Sequence, residues 1–221
     1  LVGPTAHQVD HRLAVHEHTH RSAHVAALGE VGGERVAHRG EPLIALTADR
    51  GVHADQLPMR TTVTPMPGHL ILISGLPGVG KTTLATRFAV ERNALRLCAD
   101  DWLIGLRIDL WDSDARARIE LLQGALALDL LRAGNTVVIE WGMWARAERD
   151  RMRMAARQLG AGVELHFLSA PVDELYSRIE ARGLELQLTG REITLDELRE
   201  WAVIIESPTA DELALFDPPL G

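Results

Sequence analysis

The sequence predicts an α/β fold, a three-layer sandwich in which helices cover both faces of a mostly parallel sheet. Three observations predict it. Four short apolar, β-branched runs alternate with helical patterns after residue 66, a rhythm that implies parallel strands joined by crossover helices. The first run leads through Gly75-Leu76-Pro77-Gly78-Val79-Gly80-Lys81-Thr82 into a helix, and this loop fits the phosphate-binding pattern G-x-x-x-x-G-K-[ST] at every position. Asp100 and Glu140 then fall at the carboxyl ends of later runs, where ligands bind in such sheets.

Taken in order, His69-Leu70-Ile71-Leu72-Ile73-Ser74 reads as a buried strand, and Lys81 to Ala89 as a helix with Leu84 and Phe88 on one side. Arg87 and Glu91 follow at one-turn spacing. Leu95 to Ala99 reads as the second strand, ending at Asp100-Asp101. Ala115 to Leu131 is a long helix whose expected apolar stripe is Ile119, Leu122, Leu126 and Leu130, closed by Gly134. Thr136 to Glu140 is the third strand, Arg146 to Leu159 a helix ended by Gly160, and Val163 to Leu168 the fourth strand. Val172 to Arg182 is helical. Thr194-Leu195-Asp196-Glu197 has capping-box spacing ahead of another helix, and Pro208 to Glu212 reads as a turn with a capped helix. No fifth core strand stands out before Gly221.

The loop carries the chemistry. All but one of the 23 basic residues are arginine, and the exception is Lys81. A compact ammonium on a flexible stem reaches phosphates inside a narrow nest of backbone N–H groups, where a guanidinium does not fit. Gly75, Gly78 and Gly80 permit the backbone angles of that nest, and the helix N-terminus behind it favours an anion. The cofactor-binding set is therefore Gly75, Leu76, Pro77, Gly78, Val79, Gly80, Lys81, Thr82 and Thr83, and the ligand a nucleoside triphosphate, ATP with Mg²⁺. Thr82 places its hydroxyl on the metal, Thr83 helps cap the turn, and Glu140 is the acid that holds Mg²⁺ from the third strand.

Asp100 or Asp101 is expected to orient or deprotonate an acceptor hydroxyl, Asp100 being preferred, with a helix N-cap as the plainer role. Arg178 and Arg182 lie four apart on one helix face, ahead of a polar stretch from Gly183 to Arg191. That stretch is expected to act as a short lid that places arginines on the transferring phosphoryl group. Pairing with Glu174 or Glu185 is the plainer role for such arginines. Arg146 and Arg149 are candidates for the acceptor side, against an ordinary charged helix face with Arg151, Arg153 and Arg157. Trp102, Trp111, Trp141 and Trp144 flank the expected acceptor pocket, as a stacking platform or as packing.

Composition bounds the rest. The chain has 221 residues, 46% of them hydrophobic, and a net charge of −8 with no basic face for a nucleic-acid duplex. The one cysteine, Cys98, suits a reducing compartment, and no apolar run is long enough to span a membrane, so the expected location is cytoplasmic. Residues 1–65 read differently from the rest. Eight of the ten histidines lie there, without helical or strand periodicity. A disordered tail or over-annotated upstream sequence, with a natural start at Met59 or Met66, is the expectation ahead of a metal site at His16-Glu17-His18-Thr19-His20. Residues 66–221 form the ATP-binding domain.

A family resemblance covers about residues 66–217. The loop Gly75 to Thr82, Cys98-Ala99-Asp100-Asp101-Trp102, Val138-Ile139-Glu140-Trp141-Gly142, Arg146 to Arg149, Tyr176 to Arg182 and Glu206 to Glu212 look like a set of bacterial P-loop ATP-binding proteins, often labelled AAA family ATPases but kinase-like. They are similar to polynucleotide kinase, zeta toxin and chloramphenicol phosphotransferase domains. The resemblance implies a nucleoside/nucleotide kinase-like P-loop NTPase fold, Asp100 as acceptor base, Arg178 and Arg182 as lid residues, and Pro208 to Glu212 closing the adenine pocket. Glu140 departs from the Asp of polynucleotide kinases. The implied activity is transfer of the ATP γ-phosphate to a hydroxyl; a regulatory nucleotide-binding ATPase without transfer is the alternative. The acceptor stays open among a small metabolite, an antibiotic, a nucleotide sugar and a nucleic-acid 5′ end, and the oligomeric state is open too. A signalling GTPase is argued against, because its N-K-x-D guanine reader needs a second lysine and Lys81 is the only one here. A mechanical AAA+ ATPase is not expected, since it would need a helical lid domain and sensor arginines and few residues of this sequence follow Leu168.

Overall fold

Strand β1 (His69–Ser74) is flanked on both sides by parallel neighbours, and its residues Leu70 to Ile73 are fully buried. The computed structural model describes residues 67–183 and 191–219, all within the unit Pro65–Gly221. The expectations for residues 1–65, the His16–His20 cluster among them, lie outside the described residues, as does most of the polar stretch between Gly183 and Arg191.

Helix α1 (Lys81–Glu91) follows β1, then β2 (Leu95–Leu97), α2 (Ala99–Gly105), α3 (Ser113–Arg132), β3 (Thr136–Ile139), α4 (Arg146–Gln158), β4 (Gly162–Phe167), α5 (Val172–Arg182), α6 (Leu195–Ile204) and α7 (Ala210–Leu213). Among the described residues the sheet has four strands in the order β2-β3-β1-β4, all parallel, with Leu72 level with Ile139 and Leu97 level with the same residue. Period-two alternation splits its side chains between two cores. Ile71, Ile73 and Val138 pack against Ala85 and Phe88 of α1, whereas Leu70, Leu72, Val137, Ile139, Val163 and Leu165 pack against Ala127 and Leu131 of α3 and Met152 and Ala156 of α4. A third cluster joins Leu76 and Val79 of the loop to Leu175 and Ile179 of α5 and Leu198 of α6.

Most element bounds match the sequence pattern, and two readings need correction. The second strand stops at Leu97, and Ala99 begins α2 instead of ending a strand. Asp100 and Asp101 thereby sit in the first turn of a helix capped at Cys98, where the helix dipole favours carboxylates. The buried stripe of α3 is also rotated from expectation. Ile119 is buried as expected, but Leu122 is 61% exposed and Leu126 is exposed too, while Gln123, Gly124, Ala127 and Leu131 face inward. The cause is a polar anchor. Gln123 donates to the Cys98 carbonyl at 3.0 Å and accepts from the Trp141 indole at 2.7 Å, so its amide, with two partners waiting inside, outranks a leucine at that position. The end of α3 is as expected: Gly134, at φ 82°, donates to Leu131 and Asn135 to Leu130, the paired bonds of a Schellman cap.

Capping explains the later helices. Thr194 accepts from the Glu197 amide while the Glu197 carboxylate accepts from the Thr194 amide, the reciprocal box its spacing predicts. Thr209 accepts in the same way from Glu212. No helix among the described residues is long and apolar enough to cross a membrane.

Candidate functional site

Three connections converge at the carboxyl ends of β1, β2 and β3: the glycine loop, the start of α2 and the turn after β3. The loop is shaped by backbone angles closed to other residues. Gly75 stands at φ 143° with the Leu168 carbonyl 2.5 Å from where a Cβ would lie, and Gly78 at φ 80° with the Leu175 carbonyl at 2.8 Å. Both are therefore required twice, by angle and by space. Gly80, in the left-handed region, hands the chain into α1.

Lys81 folds back so that its ammonium donates to the Gly75 and Leu76 carbonyls, each at 3.0 Å. Burial pushes its pKa down, and the nearby charges of Glu140 and then Asp100 oppose that fall. Both carboxylates are thus electrostatic neighbours of the loop lysine. Asp101 points elsewhere.

Glu140, one residue beyond β3, is buried, and both of its oxygens are taken. The Thr82 hydroxyl donates to Oε1, and Arg96 Nε donates to Oε2 at 2.7 Å. The two expected metal-holding residues are therefore in direct contact. Arg96 also reaches Asp101 at 2.6 Å, and Arg116 of α3 pairs with Asp100 at 2.6 Å while donating to the Leu110 carbonyl. Burial disfavours the charge of Arg96, yet Glu140 holds its guanidinium more firmly protonated than usual. Cys98, between these groups, is inert: burial, with the Glu140 charge, pushes its thiol up to about 12.

A pocket of about 400 Å³ opens beside the loop, lined by Gly78, Gly80, Thr83, Leu84, Arg87, Leu168, Arg178 and Arg182. The two α5 arginines thus share one cavity with Gly78 and Gly80 of the loop, and Arg178 also pairs with Glu174 one turn away. The pocket lining includes neither Arg191, which lies 3.9 Å over the Trp111 ring and pairs with Glu197, nor the segment Pro208 to Glu212.

That last segment is tied to the helix after β3 through a buried ion pair between Glu212 and Arg149. Arg149 is 0% exposed and grips Glu212 with two bonds, Nε to Oε1 at 2.7 Å and Nη2 to Oε2 at 3.0 Å. Its Nη1 donates to the carbonyls of Met143 and Trp144. The Met143 carbonyl also receives the hydroxyl of Ser74, the last residue before the loop. Arg146 is a surface residue paired with Asp150. The tryptophans pack: Trp111 and Trp144 lie 6.3 and 5.7 Å from Trp201, and Trp141 lies between α3 and the sheet.

Sequence reasoning missed Arg96, Arg116, Ser74 and Gln123. A signal existed for Arg96, a charged residue between Leu95 and Leu97 in a strand, and such a residue needs a carboxylate inside. None existed for Arg116, one of several arginines on a solvated helix.

A parallel sheet, a strand–loop–helix phosphate nest and carboxylates on the adjoining strand ends define a kinase-like P-loop nucleotide-binding protein. Within that class the chain belongs to the AAA domain family, whose model matches residues 70–203. Among solved structures, it resembles a chain of the Pnkp1/Rnl/Hen1 RNA repair complex at 22% identity and a TM-score of 0.52, over 71% of this chain and 47% of that one. It thus spans about half of that protein. A candidate kinase from Chloroflexus aurantiacus j-10-fl matches at 21% identity and a TM-score of 0.52, over 62% of this chain and 78% of that one. A gluconokinase from Sinorhizobium meliloti 1021 aligns more loosely, at 22% identity and a TM-score of 0.44, over 66% and 79% of the two chains. The first two likenesses show the fold alone. No curated protein matches the chain.

Proposed function

We propose that the protein is an ATP-dependent phosphotransferase that moves the γ-phosphate to a hydroxyl of a small molecule or nucleotide. The observation that carries this is the convergence of Lys81, Thr82, Glu140 and Asp100 at adjoining strand ends, with Glu140 and Asp100 both acting on the Lys81 ammonium. In this reading Gly75 to Thr83 cradle the triphosphate, Lys81 exchanges its two carbonyl partners for phosphate oxygens, and Asp100 takes the acceptor proton. Asp101 supports it by keeping Arg96 on Glu140. Arg178 and Arg182 bring positive charge to the phosphates from the far wall of the pocket.

The site suits Mg²⁺. The Thr82 hydroxyl touching the Glu140 carboxylate is a pair of hard oxygen donors at the helix start, and Mg²⁺ prefers one or two such protein ligands with phosphates and water completing its shell. Among the described residues no group of three or more His, Cys, Asp or Glu side chains is placed to hold an ion by itself, which suits a metal that arrives with its nucleotide. When bound, Mg²⁺ would neutralise charge on the phosphates. A cytoplasmic location, where ATP and Mg²⁺ are plentiful, goes with this reading.

The test is acceptor-dependent ADP release over a panel of sugars, nucleosides, aminoglycoside and phenicol antibiotics, nucleotide sugars and 5′-hydroxyl oligonucleotides, with Lys81→Ala as control. Turnover with one class, abolished by Lys81→Ala, is the expected result; full activity in Lys81→Ala overturns it. A second reading, a nucleotide-binding regulator without transfer, is favoured by the ion pairs that hold both aspartates, Asp100 to Arg116 and Asp101 to Arg96. Asp100→Asn separates the two. Loss of transfer with retained ATP binding supports the kinase, and no change in any activity supports the regulator.

A further inference from the structure

The Asp100 carboxylate does not turn freely. Arg116 Nη2 lies 2.6 Å from its Oδ1, and the same nitrogen donates to the Leu110 carbonyl at 3.1 Å. Both partners stand on a rigid base. Ala99 and Leu103 of α2 pack with Ala115 and Ile119 of α3, which lie on either side of Arg116 in the chain. Asp112 caps α3 by accepting from the Ala115 amide at 2.8 Å, so the start of that helix is fixed as well. A cation this close to a helix start gains nothing from the helix dipole, which favours anions there; the partners of Arg116 account for its place. Burial lowers the Lys81 pKa, and of these two charges Asp100 opposes the fall while Arg116 adds to it. Both therefore lie within electrostatic reach of the loop lysine.

Resting on the phosphotransfer reading of this site, we infer that Arg116 is a positioning residue, which holds one oxygen of Asp100 so that the other meets the acceptor hydroxyl. The same pair could instead restrain Asp100, as a regulator without transfer would require, and magnitudes decide between the two. The Asp100 side chain is 55% exposed and that of Arg116 22%. Water screens a pair of that kind, so it is too weak to keep the carboxylate from a bound acceptor. Direction is another matter. A base acts only within hydrogen-bond reach of the proton it takes, and a misplacement of about 1 Å costs about a hundredfold in rate. An arginine held at two points, on Oδ1 and on the Leu110 carbonyl, fixes direction without needing strength. Asp101 is placed differently, because its partner Arg96 is bonded to Glu140.

The test measures kcat and the ATP KM of the full chain with the acceptor class that turns over in the panel, for Arg116→Ala, Arg116→Gln and each combined with Asp100→Asn. Arg116→Gln keeps most of the stem and serves if Arg116→Ala fails to fold in a thermal denaturation. Either variant should lose about ten- to a hundredfold in kcat, no more than Asp100→Asn loses, with the ATP KM within about threefold. Added to Asp100→Asn, either should cost less than about threefold more, because a base that is gone has no position to lose. A rise in kcat overturns the inference and makes the pair a restraint. An equal loss with and without the Asp100 carboxylate overturns it too, since Arg116 would then act on phosphate or acceptor directly. A lowered Tm with kcat unchanged makes the pair purely structural and has the same force. These three results leave the phosphotransfer reading standing. No turnover of any panel member by the unaltered chain removes that reading, and the inference with it.

Discussion

The sharpest claim about stability concerns Glu212→Gln. Arg149 and Glu212 are 0% and 1% exposed, so the substitution removes a charge from a dry interior without changing shape. It also turns one acceptor oxygen into an amine that faces the Arg149 guanidinium, donor against donor. Breaking one side of a buried pair costs about 3–5 kcal/mol, because the remaining charge has lost its counter-ion. At about 2–4 °C per kcal/mol for a domain of this size, Tm should fall by about 6–20 °C in a thermal denaturation. The double variant Arg149→Met, Glu212→Leu removes both charges and should recover most of the loss, because the Met143 and Trp144 carbonyls that lose Arg149 keep the Ser74 hydroxyl and the Glu206 amide as donors. Met143 sits at φ 44°, a strained angle for a side-chain residue, and the bonds to its carbonyl from Arg149 and Ser74 oppose relaxation. Nucleotide affinity should therefore fall with Glu212→Gln even at temperatures where the chain stays folded. A Tm change under about 3 °C would refute the reasoning, since it would mean that water already reaches the pair.

Three more outcomes follow from the same contacts. Leu122→Gln should change stability by no more than about 0.5 kcal/mol, whereas Gln123→Ala should cost about 1–3 kcal/mol by stranding the Trp141 indole and the Cys98 carbonyl; urea titration of both variants tests which face of α3 is buried. Gly78→Ala should abolish nucleotide binding in an equilibrium assay, because its Cβ would meet the Leu175 carbonyl at 2.8 Å in a left-handed conformation. Asp217 accepts from Arg157 and from the Val163 amide, and these bonds hold its carboxyl below the usual 3.8. A depressed folded-state pKa adds stability that is complete above the unfolded value and fades as pH falls through the folded one. Asp217→Asn should accordingly narrow the Tm difference between neutral pH and pH values below 3.8, and an unchanged difference would count against the contact.

Whether a residue could be read from the sequence depended on how far away its partner lies. The loop, the strands and the caps are local: Gly75 to Thr82 declares its chemistry in eight consecutive residues, and the Thr194–Glu197 box closes over three. Arg149 and Glu212 are 63 residues apart, and Arg96 and Glu140 are 44 apart. Their pairing is a consequence of sheet order, which periodicity does not specify. Arg149 therefore looked like one more arginine on a basic helix. What the sequence does carry is a mark of need: Arg96 within a strand, Gln123 among leucines, and Glu164 in the middle of β4, where His69, Arg92 and His166 gather around a fully buried carboxylate. An ionisable or amide group on an inward position says that a partner exists, because the interior tolerates none unpaired. It does not say which. On α3 that mark decided the outcome against the leucine stripe, since exposing Leu122 forfeits burial that water partly tolerates, whereas turning Gln123 outward would strand two buried polar groups at once.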